Sequence, residues 1–265
     1  MNYAPPDNTP PEVMLLFGAA GVGKTAAVLS IARKLPDATF RVVDTDYSSS
    51  YRRMLATEFS DVTNVEVVDC DGEEWEEVVE AIQTAARATQ SGDWLVLDSI
   101  SSTWDGVQAW YTEKVFGVEV EDYYIQRRQE IEEKNQKGGG AFSQSKDWGF
   151  ITKQYMKLYK RLLSHGGNII VTAEVASLGD DDEREIKSLF GTYCVKPRGQ
   201  KKLPHIPHTI LLLTKTRVGE YKLTTIKDRG RKEVEEEPVS NFFMDYMVKI
   251  AGWRPVRPAS EERDG

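Results

Sequence analysis

Only two cysteines, Cys70 and Cys194, and three histidines occur in 265 residues. Two distant thiols cannot build a disulfide framework, and lacking metal-ligand spacing they read as plain thiols. His205 and His208 lie close together, but no further Cys or His is near and Pro204 and Pro207 point to an extended turn, so a metal site is not expected there. Long apolar runs are missing too. None approaches the roughly 20 residues of a membrane helix, and the N-terminus lacks the basic-then-apolar order of a signal peptide. A cytoplasmic protein with no membrane partner is expected.

What is present is the composition of an ordinary globular protein, 40% hydrophobic and 29% charged. A chain of this length can close one α/β domain around a sizeable core. Residues 1–11, with four prolines, and 253–265, charged and proline-containing, are expected to be flexible tails around a domain at 12–252. Charge is segregated along the chain. Thirteen Lys or Arg face three acids between Arg184 and Lys232, a surplus of ten that leaves −18 on the remainder of a chain with net charge −8. A polyanion should meet this segment rather than the whole surface.

Alternation of short apolar runs with helical periodicity organises the rest. Strands are expected at 13–17, 40–43, 65–68, 94–97 and 169–172, with helices at 25–35, 51–59, 103–116 and 147–164. Asp71 and Glu74 have capping-box spacing for a helix to about Ala88, carrying Trp75, Val78, Val79 and Ile82 on its apolar face. Ser145 is placed to cap the helix that buries Ile151, Tyr155, Leu158, Tyr159 and Leu162. Gly138, Gly139 and Gly140 form a joint within an insertion at about 117–147. Strands at 210–214 and 221–226 form a hairpin across Val218 and Gly219, and the last helix is expected at 241–250. The fold class is α/β: a mainly parallel twisted sheet flanked by helices, with an antiparallel C-terminal edge.

Between the first strand and the first helix stands Gly18-Ala19-Ala20-Gly21-Val22-Gly23-Lys24-Thr25, which fits G-x-x-x-x-G-K-[ST] at every fixed position. A triphosphate must lie against bare backbone N–H groups at a helix N-terminus, and side chains at the glycines would obstruct it. Residues 18–25 with Ala26 are therefore the expected cradle for ATP. Lys24 neutralises β and γ oxygens, and the Thr25 hydroxyl is placed to ligate Mg²⁺. The run Trp94-Leu95-Val96-Leu97-Asp98 ends in an acid where open α/β sheets bind ligands, so Asp98 is expected to hold the metal's hydration shell. Asp44 or Asp46 ends the strand after the first helix, where a carboxylate polarises attacking water, unless these acids only cap the next helix. No Asn-Lys-x-Asp segment reads guanine; Thr214-Lys215-Thr216-Arg217 lacks its first Asn and final Asp.

This order of motifs resembles the RecA-like P-loop ATPases, closest to the short RecA-core ATPases that bacteriophages carry for recombination and single-strand annealing. The resemblance covers roughly 12–238. It implies Asp46 as the water-activating acid, where the family more often has Glu, and Asp98-Ser99 matches the family's Asp-Ser after a hydrophobic strand. It implies Glu174, where Gln is usual, as the γ-phosphate sensor, and Lys227 and Arg229 as cations reaching a neighbouring subunit's nucleotide. The stretch 177–204, with Lys196, Arg198, Lys201 and Lys202, corresponds to the family's mobile DNA-binding loop. The implied protein is a Mg²⁺-dependent, DNA-stimulated ATPase forming a homo-oligomeric ring or filament on single-stranded DNA. Single-strand-binding or other recombination proteins are its implied partners, and the host cytoplasm its place if phage-encoded. Two other classes stay open on the residues alone: a nucleotide or small-molecule kinase, and a nucleotide-gated interaction protein that hydrolyses poorly.

Overall fold

The computed structural model describes residues 2–46, 49–133 and 144–256, with backbone alone at 131 and 144–146. In chain order the elements are β1 (Asn2–Ala4), β2 (Val13–Phe17), α1 (Lys24–Lys34), β3 (Phe40–Asp44), α2 (Ser50–Leu55), β4 (Val65–Asp69), α3 (Trp75–Ala88) and β5 (Trp94–Asp98). Then follow α4 (Ile100–Phe116), α5 (Val120–Glu133), α6 (Gln144–Leu162), β6 (Asn168–Ala173), β7 (Val175–Ser177), α7 (Arg184–Phe190) and β8 (Val195–Pro197). The chain closes with β9 (Thr209–Lys215), β10 (Tyr221–Asp228), β11 (Glu237–Pro238), a π-helical segment (Phe243–Val248) and β12 (Arg254–Val256).

Eight strands form the central sheet in the order β11-β10-β9-β2-β6-β5-β3-β4. The strands from β9 to β4 run parallel, and β10 and β11 add the antiparallel edge expected from the sequence. Because β2 is covered on both faces, all five of its residues are buried and its apolar run does not alternate with polar residues. Val13, Leu15 and Phe17 face one core with α3, α4 and α6; Met14 and Leu16 face the other with α1 and the π-helical segment. β5 divides in the same way: Leu95 and Leu97 join the first core, and Trp94 and Val96 the second, where Trp94 stacks on Phe40 at 5.5 Å. The predicted face of α6 is the buried one, with Ile151, Tyr155, Leu158, Tyr159 and Leu162 all at 1% exposure or less.

Several local expectations differ from the structure. The N-cap of α3 is Glu74, without a side-chain cap, because the Asp71 carboxylate instead accepts the Glu73 N–H at 2.9 Å and closes a turn. Both expected tails contribute strands: β1 pairs antiparallel with β12. The stretch expected as a mobile loop contains an antiparallel arm, β7 on β8, bridged by α7, whose Phe190 is fully buried edge-on to Phe17 at 5.8 Å. Short strands without clean alternation and a basic composition hid that arm. The final helix is π-helical and shorter than expected, with Asn241 Oδ1 accepting the Met244 N–H at its start. The glycine joint at 138–140 and the Ser145 side chain lie outside the described residues.

Candidate active site

The loop from Gly18 to Gly23 leaves the carboxyl end of β2, and its shape requires its glycines. A Cβ on Gly18 would meet the Leu213 carbonyl oxygen at 2.4 Å and Val22 Cγ2 at 2.6 Å, while Gly21 and Gly23 hold φ of 75° and 93°. Gly18 N–H donates to Ala173 O at 3.3 Å, tying the loop to β6. Lys24 Nζ donates to the loop's own carbonyls, Gly18 at 2.8 Å and Ala19 at 3.1 Å. Burial lowers its pKa, against the opposing pull of Asp98, Glu174 and Asp46. This is a cation curled over a glycine cradle at a helix N-terminus, and anionic oxygens would take over its hydrogen bonds. A cavity of about 480 Å³ runs from the loop along α1, lined by Lys24, Thr25, Ser50, Tyr221, Asn241 and Phe242 among others.

Parallel pairing of β3 and β5 brings Asp44 and Asp98 into register at the same sheet edge. Asp98 is buried and accepts a hydrogen bond from the Thr172 hydroxyl of the adjoining strand. Burial raises its pKa and the Asp46 charge adds to this, while Thr172 and Lys24 oppose it. Tyr51 is buried beside Asp98, and burial with the Asp98 charge pushes its pKa well above the usual phenol value. A carboxylate raised by burial next to a second acid suits a divalent cation. Thr25, in the first turn of α1, and Asp98 offer hard oxygen ligands of the kind Mg²⁺ takes, an ion content with few protein ligands.

The two strand-end acids of β3 are not equivalent. Asp44 is buried, burial pushes its pKa to about 6, and its Oδ2 has no hydrogen-bond partner among the described residues. Asp46 is exposed; its N–H donates to Asp44 Oδ1 at 3.2 Å and its carboxylate accepts from Ser99 Oγ at 3.3 Å. Between them Thr45 Oγ1 donates to Ser99 O at 2.7 Å and accepts the Ser99 N–H at 2.9 Å, locking the ends of β3 and β5 together.

Glu174 directly follows β6, and the loop cations stand nearer to acids than expected. Arg198 Nη1 donates to Glu174 Oε2 at 2.9 Å and Nη2 to Asp105 Oδ2 at 2.5 Å. Lys196 pairs with the buried Asp182, and Lys201 lies 3.9 Å from Asp181. Lys201 and Lys202 are exposed. Sequence reasoning missed Thr172, Tyr51, Asp105 and Ser101, whose roles come from pairing across elements. An apolar strand with a Thr near its end, Ile169-Ile170-Val171-Thr172, was the only local signal for any of them.

Lys227 and Arg229 sit elsewhere. β10 runs antiparallel to β9, so Tyr221 lies level with Lys215 near the P-loop, whereas Asp228 lies level with Thr209, which pairs with Met14 at the start of β2. The length of β2, about 15 Å at 3.3 Å per residue, separates them from the loop on their own chain. Lys227 Nζ donates to Pro204 O at 3.0 Å, and burial, with Arg229 beside it, lowers its pKa. Arg229 borders a second cavity, about 670 Å³, together with Glu12, His208 and Lys232.

No curated protein matches the chain. Among solved structures, the RadB recombinase aligns with TM-score 0.49 and 18% identity over 84% of each chain. The ATP synthase subunit NeqB from Nanoarcheaum equitans aligns with TM-score 0.43 and 13% identity over 78% of this chain and 53% of that one, so the match spans about half its length. Residues 11–230 match the description of an AAA domain, and this chain therefore belongs to the AAA domain family.

Proposed function

We propose that the protein is a Mg²⁺-dependent, RecA-like ATPase that works as a homo-oligomer on single-stranded DNA, in recombination, annealing or replication. The observation that carries this reading is a P-loop cradle and a pair of cations at opposite ends of one sheet. The cradle with Lys24 and Asp98 lies at the carboxyl end of β2, and the Lys227–Arg229 cations lie at its amino end. Two chains stacked head to tail would bring one chain's cations to the next chain's nucleotide.

In this reading the 18–26 backbone binds the phosphates and Lys24 neutralises their charge. Thr25 and Asp98 would hold Mg²⁺, which would supply Lewis-acid neutralisation of the triphosphate charge. Exposed Asp46, steadied by Ser99, orients water for attack. Arg229 and Lys227 of a neighbour stabilise charge developing on the transferred group. The DNA part rests on the basic surplus of 184–232. Lys201 and Lys202 are exposed there, and a phosphate backbone would compete readily with the long Lys201–Asp181 pair.

The test is ATP turnover with and without single-stranded DNA for the native chain, Lys24→Ala, Arg229→Ala and an equimolar mixture of the two variants. DNA should raise native turnover, each variant alone should be inactive, and the mixture should recover part of the rate, since Lys24→Ala subunits still offer Arg229 to intact cradles. A monomer indifferent to DNA would refute the assembly reading. Transfer of phosphate to a small acceptor faster than to water would point to a kinase instead.

A further inference from the structure

Glu174 raises a problem of charge. A carboxylate at the end of β6, close enough to Lys24 for their charges to interact, would oppose a terminal phosphate unless a cation compensates it. That cation is Arg198, which is held to Glu174 three ways. Its Nη1 donates to Glu174 Oε2 at 2.9 Å, its backbone N–H donates to Glu174 O at 2.8 Å, and both residues share Ser101. The Ser101 hydroxyl accepts the Glu174 N–H at 2.9 Å and donates to Arg198 O at 3.1 Å.

The other end of the guanidinium is held through a side chain of a different element. Nη2 donates to Asp105 Oδ2 at 2.5 Å on α4, and the Arg198, Asp105 and Glu174 side chains are all about half exposed, at 46%, 44% and 50%, so water and anions reach both pairs. One cation thus serves two carboxylates, and a guanidinium has five donors to distribute. Arg198 also lies in the field of Asp46, the same acid that acts on Lys24. It follows directly after β8, so its position is the position of the β7–α7–β8 arm.

We propose that Arg198 is a cation of the nucleotide site acting within its own chain, exchanging Asp105 for the terminal phosphate of a bound triphosphate while Glu174 keeps its other edge. This proposal rests on the ATP reading above and adds to it a residue that separates triphosphate from diphosphate and passes the difference to the arm. A terminal phosphate carries more charge and more acceptor oxygens than the Asp105 carboxylate, and planar bidentate recognition of phosphate is what arginine does best.

Equilibrium binding of fluorescent ADP and of a slowly hydrolysed ATP analogue, both with Mg²⁺, tests this in the native chain, Arg198→Ala, Arg198→Lys and Asp105→Ala. Arg198→Ala should lose about tenfold in triphosphate-over-diphosphate preference while binding ADP as before. Arg198→Lys should recover part of the preference, and Asp105→Ala, which removes the competitor, should increase it. Triphosphate should also slow tryptic cleavage between Arg184 and Lys202 in the native chain and not in Arg198→Ala. Equal loss of both nucleotides in Arg198→Ala, an unchanged ratio, or cleavage indifferent to triphosphate in the native chain would overturn the proposal. A native chain that binds neither nucleotide would instead overturn the ATP reading, and this proposal with it.

Discussion

Replacing Asp44 by Asn should stabilise the protein at neutral pH and have little effect in acid. Asp44 is buried with one oxygen unpartnered among the described residues, and burial raises its pKa from 3.8 to about 6, with Asp98, Asp46 and Asp69 adding to the shift. A carboxyl whose folded pKa is raised favours the neutral form in the fold. Its contribution is intact below pH 3.8, declines as pH rises through the window to about 6, and stays at its lowest above it. The penalty from that shift is about 3 kcal/mol at pH 7, about 1.5 kcal/mol at pH 5 and near zero at pH 3.5. Thermal unfolding of the two chains without nucleotide or Mg²⁺ reads this directly. Asp44→Asn should melt roughly 6–12 °C higher at pH 7, with the difference shrinking steadily towards pH 4. A difference independent of pH, or a variant less stable at pH 7, would show that burial does not disfavour the charged Asp44 carboxylate.

Other substitutions probe separate parts of the account. Gly18→Ala drives a Cβ into the Leu213 carbonyl, so nucleotide affinity in a titration should fall at least about tenfold even where the melting temperature shows the fold retained. Arg231, half-buried, pairs with buried Glu12 and lies 3.6 Å from buried Asp228; Arg231→Met strands both carboxylates and should cost about 3–5 kcal/mol in denaturant melts, and adding Glu12→Leu should restore a large part of it. Phe190→Ala empties the contact with Phe17 beneath the arm and should cost about 3–5 kcal/mol, with native-state proteolysis of residues 177–204 accelerated more than that of the sheet.

Local features made the cradle and the sheet legible. The P-loop is a contiguous pattern whose glycines and lysine act within eight residues, and β2 and β5 announce themselves as apolar runs because both faces are covered. The capping of α3 failed at the same level of detail, since Asp71 had an equally good partner in its own turn. The arm and the terminal strands were illegible for another reason. Strands of three residues, one of them ending in Pro197, bury too little to show a period, and β1 finds its partner some 250 positions away. The pairing of Arg198 with Glu174 and Asp105 joins residues 24 and 93 positions apart, so no local pattern announced it. Composition marked the segment as basic but could not say which acids it meets. The sheet order did what no motif could, placing Lys227 and Arg229 beyond reach of their own P-loop.

The central claim, a magnesium-assisted nucleoside triphosphate site built on Lys24 and Asp98, is tested most directly by calorimetric titration of a slowly hydrolysed ATP analogue. The native chain, Lys24→Ala and Asp98→Asn would each be titrated with Mg²⁺ and with chelator. Binding by the native chain should weaken when the metal is removed, Lys24→Ala should lose binding, and Asp98→Asn should keep only an affinity that no longer responds to Mg²⁺. Binding by Lys24→Ala equal to that of the native chain would contradict that claim.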